Sequence, residues 1–203
     1  MESITYSYTE EENTRIATWL VDAYAAGVAN IRKFESLNHP VLEGIPLAPV
    51  KINMCLEPLR VRRASGLYEN NQIYVNVCHC VHYSMTLSYP GGIADMTPYG
   101  VIAHEYGHCI DDIFRRLKLP DVLRSLDVLP ITRYHPNKHE YFAELFKVFM
   151  TNSDLLRCSR PKAYAKLTEL FIPSETRLWK DLLVNAPENV LRRCNAEIRS
   201  GNR

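Results

Sequence analysis

The sequence predicts an α+β protein: an N-terminal helix and a small mixed sheet with a hairpin, followed by a run of helices. Three observations carry this. Apolar residues recur at helical spacing between Thr9 and Phe34. Short alternating apolar runs bounded by turn residues fill the stretch from Val50 to Tyr89, and helical periodicity takes over from Thr97 onward. Strands first and helices after, in one chain of 203 residues, is an α+β arrangement. The length predicts a single domain over 1–203, with a helix-plus-sheet lobe at 1–96 and a helical lobe at 97–203. Hydrophobic residues at 46% and charged residues at 23% exclude disordered, collagen-like and coiled-coil readings.

In chain order, Ile16, Trp19, Leu20, Ala23, Val28 and Ile31 form the first helical stripe, and Glu10, Glu11 and Glu12 stand where the macrodipole favours them. Three prolines and a glycine between His39 and Pro49 enforce a loop. Val50–Cys55 is a strand. Leu59–Tyr68 and Gln72–Val77 form a hairpin around Glu69-Asn70-Asn71, with Ile73, Val75 and Val77 facing a core. Tyr83–Tyr89 is a further strand that Pro90-Gly91-Gly92 stops. Helices are expected at about 97–117, 119–127, 138–152, 161–172 and 186–199, with turns at Pro130, Pro136 and Pro173.

The formal net charge is +1, which argues against a surface built for nucleic acid, although residues 1–50 are net acidic and 157–203 net basic. The most apolar early stretch, Ile16–Ile31, is interrupted by Asp22, Gly27 and Asn30 and is shorter than the ~20 residues of a membrane span. The first ten residues carry no Lys or Arg, so no signal-peptide n-region is present. The expectation is a monomer with reduced cysteines, without membrane or nucleic-acid partners, cytoplasmic or delivered without a cleavable signal.

His104-Glu105-Tyr106-Gly107-His108 is the informative pentapeptide. Thr97 followed by Pro98 opens a helix on which His104 and His108, four residues apart, share one face. Glu105 lies about 100° around, close enough to reach a water without ligating a metal. A catalytic zinc site wants three protein ligands and one open position. Six residues past His108 stands Phe114, so no third histidine follows at that spacing. Downstream, Glu140 and Glu144 put two carboxylates on one face of a helix striped by Phe142, Leu145, Phe146 and Phe149. One can bind zinc while the other accepts the outer N–H of a ligand histidine.

The run His104–Asp112, then Tyr134, then Glu140-Tyr141-Phe142-Ala143-Glu144-Leu145-Phe146 resembles the catalytic domain of the anthrax lethal factor family of zincins, which includes the Pro-Pro endopeptidases. The similarity covers about residues 97–172. It implies a zincin-like fold and a zinc-dependent endopeptidase acting on a protein or peptide. His104, His108 and Glu140 would then be zinc ligands, Glu105 the general base, Glu144 a partner behind a ligand histidine, and Tyr134 the hydrogen-bond donor to the developing oxyanion. Tyr134 stands six residues before Glu140 where the family has seven, which makes neighbouring His135 a competing donor.

Asp111 faces the same side of its helix as His104, to orient a ligand, a loop or the helix packing. Cys78-His79-Cys80-Val81-His82 reads either as a second metal cluster or as buried thiols alternating in a strand, and Cys109 reads as core. Tyr83, Tyr89, Tyr99 and Tyr106 either line a cleft or pack. The tail arginines Arg192, Arg193, Arg199 and Arg203 read as a solvated helix end. Substrate is expected to pair its backbone with Tyr83–Tyr89. The competing functions are a zincin-fold binding or sensing module and a zinc hydrolase of a non-peptide amide.

Overall fold

The computed structural model describes residues 9–57, 59, 64–82, 86–89, 92–95, 97–119, 137–173, 182 and 184–188. These form a mixed α+β fold, mostly helical, with a small three-stranded sheet. Helix α1 (Glu10–Glu35) begins at a reciprocal cap: the Thr9 hydroxyl accepts from the Glu12 N–H while the Glu12 carboxylate accepts from the Thr9 N–H. Its buried stripe runs through Ile16, Trp19, Leu20, Ala23, Ile31 and Phe34, much as the periodicity predicts. After a single 3-10 turn at Pro40–Leu42 come β1 (Lys51–Cys55), β2 (Gly66–Glu69) and β3 (Gln72–Asn76).

The sheet order is β1-β3-β2, with β1 parallel to β3 and β2 antiparallel to it. Asn70 and Asn71 both have positive φ, 52° and 58°, as the two-residue turn of a tight hairpin requires. The hairpin is therefore as expected, but its first strand is four residues long. Val77 faces the core from the start of helix α2 (Val77–His82) rather than from the strand. The Cys78–His82 segment is thus helical and not extended. Asn76 explains the switch, because its side-chain oxygen accepts from the His79 N–H and caps the turn.

Strand β4 (Thr86–Tyr89) pairs antiparallel with β5 (Gly92–Asp95), Tyr89 opposite Gly92, in a separate two-stranded ribbon; Gly92 opens a strand instead of ending one. Helix α3 (Pro98–Arg116) follows, then α4 (Lys138–Thr151), α5 (Ser153–Ser159) and α6 (Pro161–Leu170). Thr97 occupies the cap position of α3 without a side-chain cap bond; its N–H donates to Asp95. Helix α5 lies between the helices expected at 138–152 and 161–172, where none was expected, and starts where the Asn152 side chain caps the Leu155 N–H. The expected helices at 119–127 and 186–199 and the turns at Pro130 and Pro136 fall largely or wholly outside the described residues.

Helix α3 packs against α1, β2, β3 and α4. The core spans both predicted lobes: Phe34 of α1 meets Tyr106 of α3, Phe146 of α4 and Phe171 beyond α6 at ring-centroid distances of 5.4–5.8 Å. Aromatic edges fix orientation as well as burying area, so this cluster holds α3 and α4 at a defined angle. Where they cross, a Cβ on Gly107 would lie 2.8 Å from the Ala143 Cα, so only glycine lets the two backbones approach this closely. Among the described residues, no helix is long and apolar enough to cross a membrane.

Candidate metal centre

Two antiparallel helices build the site. Helix α3 supplies His104, Glu105 and His108, and α4 supplies Glu140 and Glu144. Glu140 sits in the first turn of α4, where the Asn137 side chain accepts from the N–H groups of His139 and Glu140, both at 3.0 Å. The helix dipole favours an anion at that position. Further around α4, Asp111 Oδ2 lies 2.7 Å from His139 Nδ1 and clips the far end of α3 to this turn. Asp111 thus makes a packing contact between α3 and α4, one of the roles its wheel position allowed.

The donors converge. His104 Nε2 lies 3.1 Å from Glu140 Oε2, and His108 Nε2 lies 3.5 Å from Glu140 Oε1. The two imidazole rings stand edge-on at 83°, centroids 4.9 Å apart. One nitrogen from each histidine and one oxygen of Glu140 all fall within 4.8 Å of one another, a group able to hold a metal ion. The other ring nitrogen of His104 donates to Glu144 Oε1 at 2.7 Å, and the Lys147 ammonium donates to that same oxygen at 2.6 Å. The geometry separates the two carboxylates: Glu140 faces the donor nitrogens of both histidines, and Glu144 stands behind one of them.

Burial pulls the His104 imidazole down, but hydrogen bonds to Glu140 and Glu144 outweigh it and lift the ring to about 9. Those same contacts with His104 and His108 hold Glu140 well below the usual carboxylate range. Burial pushes the Glu144 carboxyl up, yet Lys147 and His104 together keep it low. Glu105 is only 7% exposed, and burial raises its carboxyl despite the nearby histidines. The Tyr68 N–H on β2 donates to it. Gly66, two residues earlier, makes room: a Cβ there would fall 2.6 Å from Glu105 Oε1. The edge strand of the three-stranded sheet therefore abuts Glu105.

Other candidates separate. Tyr99 and Tyr106 are core residues rather than cleft lining, and Cys109 is buried as expected. Cys80 is buried whereas Cys78 is exposed, because residues two apart on a helix point to nearly opposite sides. Among the described residues, His104–His108–Glu140 is the one group of three found that could hold a metal. Tyr134, His135, Tyr83 and the four tail arginines lie outside the described residues, as do the side chains of Tyr89 and His82. Asn137 and Lys147 escaped the reading of the sequence. An Asn three residues before Glu140 was the available sign of the first, and one lysine inside Leu145-Phe146-Lys147-Val148-Phe149 that of the second.

No protein-family profile, curated protein or solved structure matches this chain.

Proposed function

We propose that this chain is a zinc-dependent endopeptidase of the lethal-factor-like zincin type. The observation that carries the reading is the convergence of His104 Nε2, His108 Nε2 and the Glu140 carboxylate on one point, with buried Glu105 beside them. The donor set fits the ion. Zinc bonds of about 2.0–2.1 Å in a tetrahedron put ligand atoms roughly 3.3 Å apart, and 3.1 and 3.5 Å bracket that spacing. Charge fits as well. With both histidines neutral, as ligands must be, Glu105, Glu140 and Glu144 bring three negative charges and Lys147 one positive, leaving the deficit that a divalent cation would fill.

A zinc ion held by His104, His108 and Glu140 would polarise a scissile carbonyl and acidify water. Glu105 then takes the water's proton and delivers it to the departing amine, which its position next to both ligand histidines allows. Tyr134, in the role the resemblance gives it, donates a hydrogen bond to the developing oxyanion. An extended peptide could pair with the Tyr83–Tyr89 segment, as the sequence suggests, or with β2, the edge strand that abuts Glu105.

The test is product mapping on a proteome-derived peptide library, with and without a chelator, on the wild type and on Glu105→Gln. Zinc near one per chain, chelator-sensitive cleavage, and a loss of about 10²–10⁴-fold in Glu105→Gln with zinc retained are expected. Stoichiometric zinc with no cleavage of any peptide would instead make this a binding module.

A further inference from the structure

The Lys147 side chain is 2% exposed, and burying an ammonium is costly. Replacing a whole buried ion pair by apolar residues of similar volume is often neutral or stabilising, so stability alone does not account for a buried Lys147–Glu144 pair. The contact Lys147 makes is specific. Its Nζ and the His104 Nδ1 meet on one oxygen, Glu144 Oε1, at 2.6 and 2.7 Å. Lys147 is three residues from Glu144 on α4, so its reach along the helix pins that oxygen in place. We infer that Lys147 is a positioning residue for the metal centre: it fixes Glu144 Oε1, which holds the His104 ring with Nδ1–H outward and Nε2 toward His108 and Glu140.

This rests on the metal reading above and extends it one layer outward. A carboxylate behind a ligand histidine sets its tautomer and orientation. Here that carboxylate is itself held by an ammonium, which keeps Glu144 from swinging to another rotamer. The chain of contacts Lys147–Glu144–His104 runs from the core to the open face of the site. Lys147 and His104 share Glu144 Oε1, so the influence of Lys147 on the ligand ring passes through that carboxylate.

The experiment is zinc affinity by chelator competition on the full chain, for wild type, Lys147→Met, Lys147→Arg, Glu144→Gln and the double variant Lys147→Met/Glu144→Gln. The absorption spectrum of the cobalt-substituted forms reports ligand geometry independently of turnover. Lys147→Met should weaken zinc by about 10–100-fold and perturb the cobalt spectrum. Lys147→Arg should stay within about threefold of wild type. The double variant should bind zinc no more weakly than Glu144→Gln alone, because the two residues act as one unit. The double variant also removes both buried charges, so it keeps the cycle readable if Lys147→Met alone does not fold. Wild-type affinity in Lys147→Met, or additive losses in the double variant, would overturn the positioning role while leaving the zinc reading standing. Failure of the wild type to take up zinc would overturn both.

Discussion

Two histidines, buried His39 and partly buried His104, sit in opposite chemical surroundings. His39 is 2% exposed and stacked on Phe34 at 3.9 Å. Its Nε2 faces the Phe34 carbonyl at 2.8 Å and donates; its Nδ1 faces the Ile172 N–H at 3.2 Å and accepts. One main-chain acceptor and one main-chain donor satisfy a neutral imidazole completely. Burial accordingly lowers this ring's pKa, and the Phe34 carbonyl opposes the shift only in part. His104 meets carboxylates on both sides, which leaves a ring nitrogen facing an anion with room for a cation between. Both rings are largely shielded from solvent. The partners decide which histidine ties the fold together and which can do chemistry.

Substitution at each position should separate these roles most sharply. His104→Ala should lose zinc affinity by more than about 100-fold, exceeding what loss of a residue behind the ligands costs. His39→Ala should leave zinc affinity unchanged while lowering unfolding stability by about 2–4 kcal/mol, for two lost hydrogen bonds and a packed ring. Chelator competition and denaturant titration on both variants check this, and a zinc defect in His39→Ala would dissolve the distinction.

The next effect is in pH. His39 has a folded pKa below its unfolded one, so below the unfolded value the unfolded chain takes up the proton first. Its contribution to stability is therefore complete above about pH 6.5 and is lost as pH falls toward the folded value, with a slope of at most about 1.4 kcal/mol per unit. Melting temperature followed from pH 7 to pH 5 should drop more in the wild type than in His39→Gln. Parallel curves would mean that His39 does not carry the acid sensitivity.

The smallest effect concerns the exposed clip between α3 and α4. Asp111→Asn should cost no more than about 0.5 kcal/mol, because His139 is half exposed and surface pairs are weak. Zinc affinity should stay within about threefold. A larger loss would show that the first turn of α4 depends on this clip to hold Glu140 in place.

Much of this was legible in the chain. The spacing of His104 and His108 fixes a shared helix face, and Glu140 with Glu144 fixes a second. What spacing alone leaves open is which carboxylate faces both histidines, since residues four apart share a side. That choice depends on the antiparallel crossing of α3 and α4, a tertiary fact. The misread elements are short: α2, α5 and β5 have seven residues or fewer, too few for periodicity to outvote local chemistry. Single side chains decided two of them, Asn76 turning an apparent strand into a helix and Asn152 starting a new one. Lys147 was visible as an oddity in an apolar run, but its partner could be named only once the helices were packed.

The contact between Gly107 and Ala143 works as a spacer gauge for the candidate metal centre. A methyl group at 107 would stand 2.8 Å from the Ala143 Cα, where ordinary contact begins near 3.4 Å, so the helices would have to part by about 0.6 Å. Metal–ligand distances tolerate about 0.2 Å. If an ion is held by His104, His108 and Glu140, its fit to them depends on a position outside that group. A substitution at residue 107 therefore meets a geometric barrier that has nothing to do with the chemistry of the residue it adds.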